Sequence, residues 1–310
     1  MTQTQIFLFG RFCLECEGQK LLNFESQKIQ ELFCYLLMYR SRPHPREKLA
    51  SLLWCDCSTT QSKRYLRQAL WQLQTCLEQH IPQQHSLLLT EPDWLQIAPE
   101  DPLWLDVAQF EAAYTETQGQ AGSNLSDAQV CHLSQAVQLY KGDLLENWYQ
   151  DWCLFERERL QNMYLIMLDK LMSYCEAHQH YEEGIIYGQQ ILHCDYARES
   201  THRRLMRLHY LSGDRTGALR QYEHCVVALD KELNIKPSAR TLALQECILS
   251  DNLNPTSALL FPSLPSTDGT ASALTNLVDH LHQLRHTLIA AQQQVEKEIE
   301  TVRLLNQNPA

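Results

Sequence analysis

The chain has 310 residues, 44% hydrophobic and 20% charged, with a formal net charge of −11. This suits a globular protein of about two or three domains. With no run of about 18 apolar residues and no basic, cleavable leader, membrane spanning and export are not expected, so a cytoplasmic protein is. The 12 cysteines are scattered through helical patterning and are expected to be reduced thiols serving as small apolar residues, not a disulfide framework.

Near the amino end, TQIFLFGRFCLECEGQKL alternates and is punctuated at Gly10 and Gly18, the pattern of short paired strands. A helix follows, capped by Ser26, with Ile29, Leu32, Phe33, Leu36 and Leu37 at helical spacing until Pro43 and Pro45 break the pattern. REKLASLLW predicts a second, short helix with Leu49, Leu52 and Leu53 turned inward. STTQSKRYLRQALWQLQTCL predicts a third, in which Ser58 and Gln61 have the form of a capping box. At about 100° per residue, Leu66, Leu70, Leu73 and Leu77 gather in one sector that must be buried. SLLLTEPDWLQIA then supplies a hairpin around Pro92 and Asp93. Strands, three helices and a hairpin are the order of a winged helix-turn-helix domain with an amino-terminal sheet, assigned to residues 1–100.

From about Leu125 the pattern is continuously helical, and an offset of 34 sets Leu171, Met172 and Gly184 opposite Leu205, Met206 and Ala218. That is the tetratricopeptide period, in which each helical hairpin buries its apolar stripe only by stacking on neighbours. Small residues such as Gly184 and Ala218 mark close helix approach. Residues 101–250 are assigned to an all-α repeat domain, in which Leu125 to Leu249 would hold about three such units, roughly the minimum that stacks stably. A linker rich in Pro, Ser and Thr covers 251–272. In 273–306, Leu274, Leu281, Leu288, Val295 and Val302 recur every seven residues, with Leu277, Leu284, Ala291 and Leu305 in the second heptad position. Such a seam needs a partner helix. A coiled coil that makes a homodimer and a helix folded back on the repeats are both open. The fold class is thus mainly α with a small β component.

DNA responds to the face presented to it, not to the charge of the whole chain. Between Lys28 and Arg67, eight cationic residues stand against Glu31, Glu47 and Asp56, a local balance of +5. Opposite the leucines of the third helix stand Arg64, Arg67, Gln68 and Trp71, flanked by Lys63 and Gln74. Arg can grip guanine O6 and N7, and Gln adenine N6 and N7, each with two hydrogen bonds. Trp71 makes more sense at an interface than in water. Ser58 and Thr59 at the helix start suit a phosphate, as do Arg42, Arg46 and Lys48 before the preceding helix. The bland alternative is a solvated charged face.

No catalytic constellation, cofactor motif or metal-ligand spacing is found. Cys13 and Cys16 form a CxxC on a strand, where residues three apart point to opposite faces, and Cys55 and Cys57 flank a loop aspartate. No second pair follows at zinc-site distance, and His178 and His180 fall in an interhelix turn. A redox or metal sensor is the weaker reading. No enzyme activity is expected.

FLFGRFCLECEGQKL, REKLASLLW, RYLRQALWQLQTCL, LDVAQFEAAY, YKGDLLENWYQDWCLFERERL, STHRRLMRLHYLSGDRTGALRQYEHC and LNIKPSARTL occur in that order. With this text the chain resembles, up to about Ile248, bacterial transcriptional activators of the antibiotic-regulatory-protein type. These join an OmpR-like winged helix to a bacterial transcriptional activator domain of tetratricopeptide-like repeats. The resemblance implies binding of double-stranded promoter DNA and contact with RNA polymerase. Lys63, Arg64, Arg67, Gln68 and Trp71 inherit the base-proximal role, with Gln74 beside them. Family members usually carry more Arg where Trp71, Gln72, Gln74 and Thr75 stand here, and the hairpin tip holds Glu91 and Asp93 where cations would serve DNA. These departures keep an alternative open, a repeat scaffold whose winged helix binds protein.

Overall fold

A computed structural model describes residues 4–16, 19–20, 24, 26–80, 87–98 and 103–252. The heptad segment, with Leu274 through Leu305, and all but the first two residues of the linker lie outside the described residues.

Strand β1 (Thr4–Phe7) buries Thr4 and Ile6 on one face and pairs antiparallel with β2 (Cys13–Cys16), which pairs with β3 (Gln19–Lys20). The chain reverses at Gly10, whose φ of 83° suits a residue without a Cβ. Helix α1 (Gln27–Met38) begins where the Ser26 hydroxyl accepts from the Lys28 amide at 3.3 Å, and it buries Ile29, Leu32, Phe33, Leu36 and Leu37. After it, β4 (His44–Pro45) leads into α2 (Arg46–Leu53) and α3 (Thr59–His80). Strands β5 (Leu88–Thr90) and β6 (Trp94–Ile97) form the hairpin, and β4 pairs with β6 on its open side. The strand order β4-β6-β5 is a three-stranded wing. Two residues, one a proline, carry no periodicity, so the third wing strand leaves no signal in the sequence.

One expected core position is corrected. Leu49 and Leu53 of α2 are buried, but Leu52 is 42% exposed, and Ala50 takes the inward place. The buried arc runs from Leu49 through Leu53 to Ala50, and Leu52 lies beyond its other edge.

Strand β7 (Trp104–Leu105) adds to the amino-terminal sheet, parallel to β1, giving the order β3-β2-β1-β7. It leads into α4 (Asp106–Glu116), so helix begins well before Leu125. Helix α5 (Asp127–Leu139) starts in a full capping box between Ser126 and Gln129. The expected continuous helix is then interrupted: residues 140–150 run irregularly, with Leu145 and Asn147 at φ of 47° and 68°. Beyond them come α6 (Asp151–Ala177), α7 (Tyr181–Cys194), α8 (Glu199–Leu211), α9 (Arg215–Leu233) and α10 (Ala239–Leu249). The turn after α6 and the turn after α8 are offset by 34 residues, as the internal repeat requires. Leu171, Met172, Leu205, Met206 and Ala218 are all fully buried. Within α7 the closer helix approach falls at Gly188, which no internal alignment singled out, and not at Gly184: a Cβ there would lie 2.6 Å from Leu205 Cδ2, against 3.1 Å from Leu208 Cδ1 at Gly184.

The described residues up to Ile248 form one compact unit, and the irregular segment is where its two halves join. Leu145 and Glu146 donate their amides to the Leu8 and Gly10 carbonyls at 2.9 and 2.7 Å, and Gly10 donates to the Asp143 carbonyl at 2.8 Å. The Arg157 guanidinium of α6 donates to the carbonyls of Leu144, Leu145 and Trp148 at 2.8, 3.0 and 3.2 Å. That clamp holds the left-handed turn in place. The Asp106 carboxylate, 1% exposed, accepts the amides of Leu8, Phe9 and Val107 at 2.8, 2.9 and 2.7 Å. Burial pushes its pKa up to about 6, against the pull of those three donors. Glu111 on α4 binds Arg40 beyond α1 at 2.7 Å and Arg159 on α6 at 2.6 Å, completing the seam.

Candidate nucleic-acid interface

Helix α3 has 22 residues, about 33 Å of helix. Its inward stripe is Leu66, Ala69, Leu70, Leu73 and Leu77, each no more than 5% exposed, with Ser62 at 2%. At its start the Gln61 carboxamide oxygen accepts from the Ser58 amide at 3.4 Å and from the Ser58 hydroxyl at 3.1 Å. Helix α2 packs against it, and a turn through Trp54 to Cys57 joins the two.

The outward set is divided. Arg64, Arg67 and Gln68 are exposed and make no hydrogen bond or ion pair with a described residue, and Trp71 is 66% exposed. The indole lies in line with the two guanidinium groups, at spacings of three and four residues along the helix, so that one open stripe carries both an aromatic and a cationic surface. Lys63 is also exposed, but its ammonium lies 2.5 Å from the Glu47 carboxylate at the start of α2, which lowers the Glu47 pKa. Gln74 is half-buried and donates to the Thr90 hydroxyl at 3.0 Å, so it ties α3 to the wing. Tyr65, which the helical wheel did not single out, is 41% exposed and rests near the Trp54 ring, 6.2 Å between centroids.

Of the residues suited to phosphate, Ser58, Thr59 and Lys48 are exposed. Arg42 is exposed with its guanidinium 5.1 Å from the centre of the Tyr39 ring, a cation–π contact that orients it. Arg46 is half-buried: its amide donates to the Asp93 carbonyl at 2.9 Å, and its Nε is buried with no hydrogen-bond partner. Glu91 and Asp93 stand exposed at the wing tip. His44 in β4 is buried, bonds the Tyr39 carbonyl through Nε2 at 2.9 Å, and has its pKa lowered by that burial.

Among the described residues, no group of three or more His, Cys, Asp and Glu could hold a metal ion, and no helix is long and apolar enough to cross a membrane. Cys13 and Cys16 lie on β2, Cys55 and Cys57 beside the α2–α3 turn, and His178 and His180 at the turn between α6 and α7.

A helix-turn-helix with a three-stranded wing is thus joined through a shared seam to stacked helical hairpins. Residues 105–249 match the family model described as "Bacterial transcriptional activator domain". Among solved structures, the chain is similar to Mycobacterium tuberculosis EmbR in complex with a low-affinity phosphopeptide. The two are 18% identical, with a TM-score of 0.61 over 90% of this chain and 72% of that one. At that identity the likeness speaks for the fold. No curated protein matches.

Proposed function

We propose that the chain is a cytoplasmic activator that binds promoter DNA sequence-specifically, with α3 in the major groove. Residues 1–100 are the DNA-binding part and 101–250 the part that meets RNA polymerase. The observation that carries this reading is the outward face of α3, where Arg64, Arg67 and Gln68 stand exposed and uncommitted beside Trp71. Arg64, Arg67 and Gln68 have the donors to read base edges, with Lys63 and Gln74 on the flank. Arg42, Lys48, Ser58 and Thr59, and Arg46 behind them, would set the register on phosphates. No cofactor is required. Affinity for duplex DNA measured against salt tests it: each neutralised phosphate contributes about −0.9 to the log-log slope. A slope near zero rejects the reading.

A second reading, a repeat scaffold whose winged helix binds protein, is favoured by the Lys63–Glu47 ion pair and by the exposed Glu91 and Asp93 at the wing tip. It predicts that flat salt dependence. The segment 273–306 is proposed to pair with its copy in a homodimer through Leu274, Leu277, Leu281, Leu284, Leu288, Val295, Val302 and Leu305. Truncation after Asp251 then lowers the oligomeric state seen by light scattering from dimer to monomer, and a shortened chain that is still dimeric assigns the helix another role.

A further inference from the structure

A second concave site lies among the repeats, built from elements other than α3. A cleft of about 560 Å³ opens between the segment 140–143, α6 and α7, a size typical of small-molecule sites, roughly 300–1,000 Å³. Its walls carry polar groups that the described fold does not use. The side chains of Gln161 on α6 and of Gln189, Gln190 and His193 on α7 make no hydrogen bond with a described residue. The Tyr164 hydroxyl makes none either, although Tyr164 is only 8% exposed. Gln190 Oε1 is buried without a partner, an arrangement that costs free energy a bound donor would recover. The Tyr140 and Tyr164 rings stack 4.3 Å apart at 16°, forming a flat wall.

The donor set selects a ligand class. A carboxamide offers N–H donors and a C=O acceptor side by side, the complement of a peptide group. Three of them line the cleft, together with one ammonium, Lys141, and one carboxylate, Asp143. That pattern fits a zwitterion that carries an amide. A phosphorylated ligand fits poorly, because Lys141 is the sole Lys or Arg in the lining and Asp143 is two residues away. A purely apolar ligand would leave the glutamines unpaired.

The same segment also holds the amino-terminal sheet. The Asp143 carbonyl accepts the Gly10 amide, the Tyr140 ring lies 4.8 Å from that of Phe9, and the Lys141 ammonium is 5.9 Å from the centre of the Phe7 ring. We propose that the cleft binds a short free peptide, a dipeptide in the simplest case, and that its occupancy is felt at the seam between the repeats and the winged helix. A ligand that fixes residues 140–143 favours the closed seam, and by linkage a closed seam favours the ligand. The site stands whether or not α3 binds DNA.

The test screens free dipeptides of the common amino acids against the full chain by ligand-observed NMR, then repeats each hit with its amino end acetylated or its carboxyl end amidated. A subset is expected to bind. Each blocked terminus, Lys141→Ala and Gln190→Ala should each weaken binding by about tenfold, the scale of one lost charged or buried hydrogen bond. Exposed Lys141 serves as the deciding variant if Gln190→Ala shifts the unfolding midpoint. Hydrogen exchange at the Gly10 and Leu145 amides should slow in the bound state. If no dipeptide binds, or if the hits bind Lys141→Ala as tightly as the unaltered chain, the site is refuted. Binding with unchanged exchange at both amides refutes the coupling.

Discussion

The arginines on α3 and those at the seam carry the same group to opposite ends. At the seam Arg157, 17% exposed, is spent on three backbone carbonyls, while Arg159 and Arg40 share the two oxygens of Glu111. On α8, Arg204 meets Asp169, Glu176 and Ser173 in the same committed way. On α3, Arg64 and Arg67 meet nothing among the described residues. A guanidinium held on several sides has a structural task, because its removal leaves buried acceptors unpaired. One left free beside an exposed indole is available to something outside the chain.

The comparison can be broken most forcefully at Arg157. Arg157→Ala is expected to cost about 3 kcal/mol or more in urea unfolding, since hydrogen bonds from a charged group are each worth about 1.5–3 kcal/mol and the carbonyls of a left-handed turn lose their donors. Arg157→Lys should restore little of it, because an ammonium lacks the planar fork. Next in size is Asp106, at the same seam. Its folded pKa of about 6 lies above the 3.8 of a free aspartate, so its contribution to stability is fully present below the lower value and is lost as pH rises through about 6. The stability of the unaltered chain relative to Asp106→Asn should therefore fall between pH 4 and 6.5, by up to about 3 kcal/mol, and level off above. A difference that rises over that range would contradict the assignment.

The smallest change in stability is expected where the arginines are free. Arg64→Ala and Arg67→Ala should each shift unfolding by no more than about 0.5 kcal/mol. If these side chains read bases, each should still lose about 1–3 kcal/mol of discrimination at particular base pairs. Uniform weakening on every duplex reassigns them to phosphate. A large loss of stability with either would erase the contrast with Arg157.

Much of the fold was legible in the sequence. The leucine stripe of α3, the Ser26 cap, the hairpin at Pro92 and the 34-residue repeat each rest on neighbours a few residues apart or on an internal copy. Leu52 was misread because its spacing suits either side of a short helix, and only the packing around α2 selects the arc that is buried. Gly188 left no signal in the repeat alignment, since the tight approach depends on where Leu205 and Met172 arrive from other helices. At the candidate interface the residue types were legible. Their availability was not: nothing in the order of residues shows that Lys63 is bound to Glu47, that Gln74 is tied to the wing, or that Tyr65 lies open.

By itself, then, the sequence determined the periodic elements, their order and the chemistry each outward face can offer, because α and β periodicity is set by backbone geometry within a turn or a strand. The tertiary structure decided which of those groups are free. Asp106 meets Leu8 across 98 residues of chain, and Arg159 meets Glu111 across 48. Partners so far apart are chosen by the packing of whole elements, and that packing commits the cations of the seam while leaving Arg64 and Arg67 of α3 exposed.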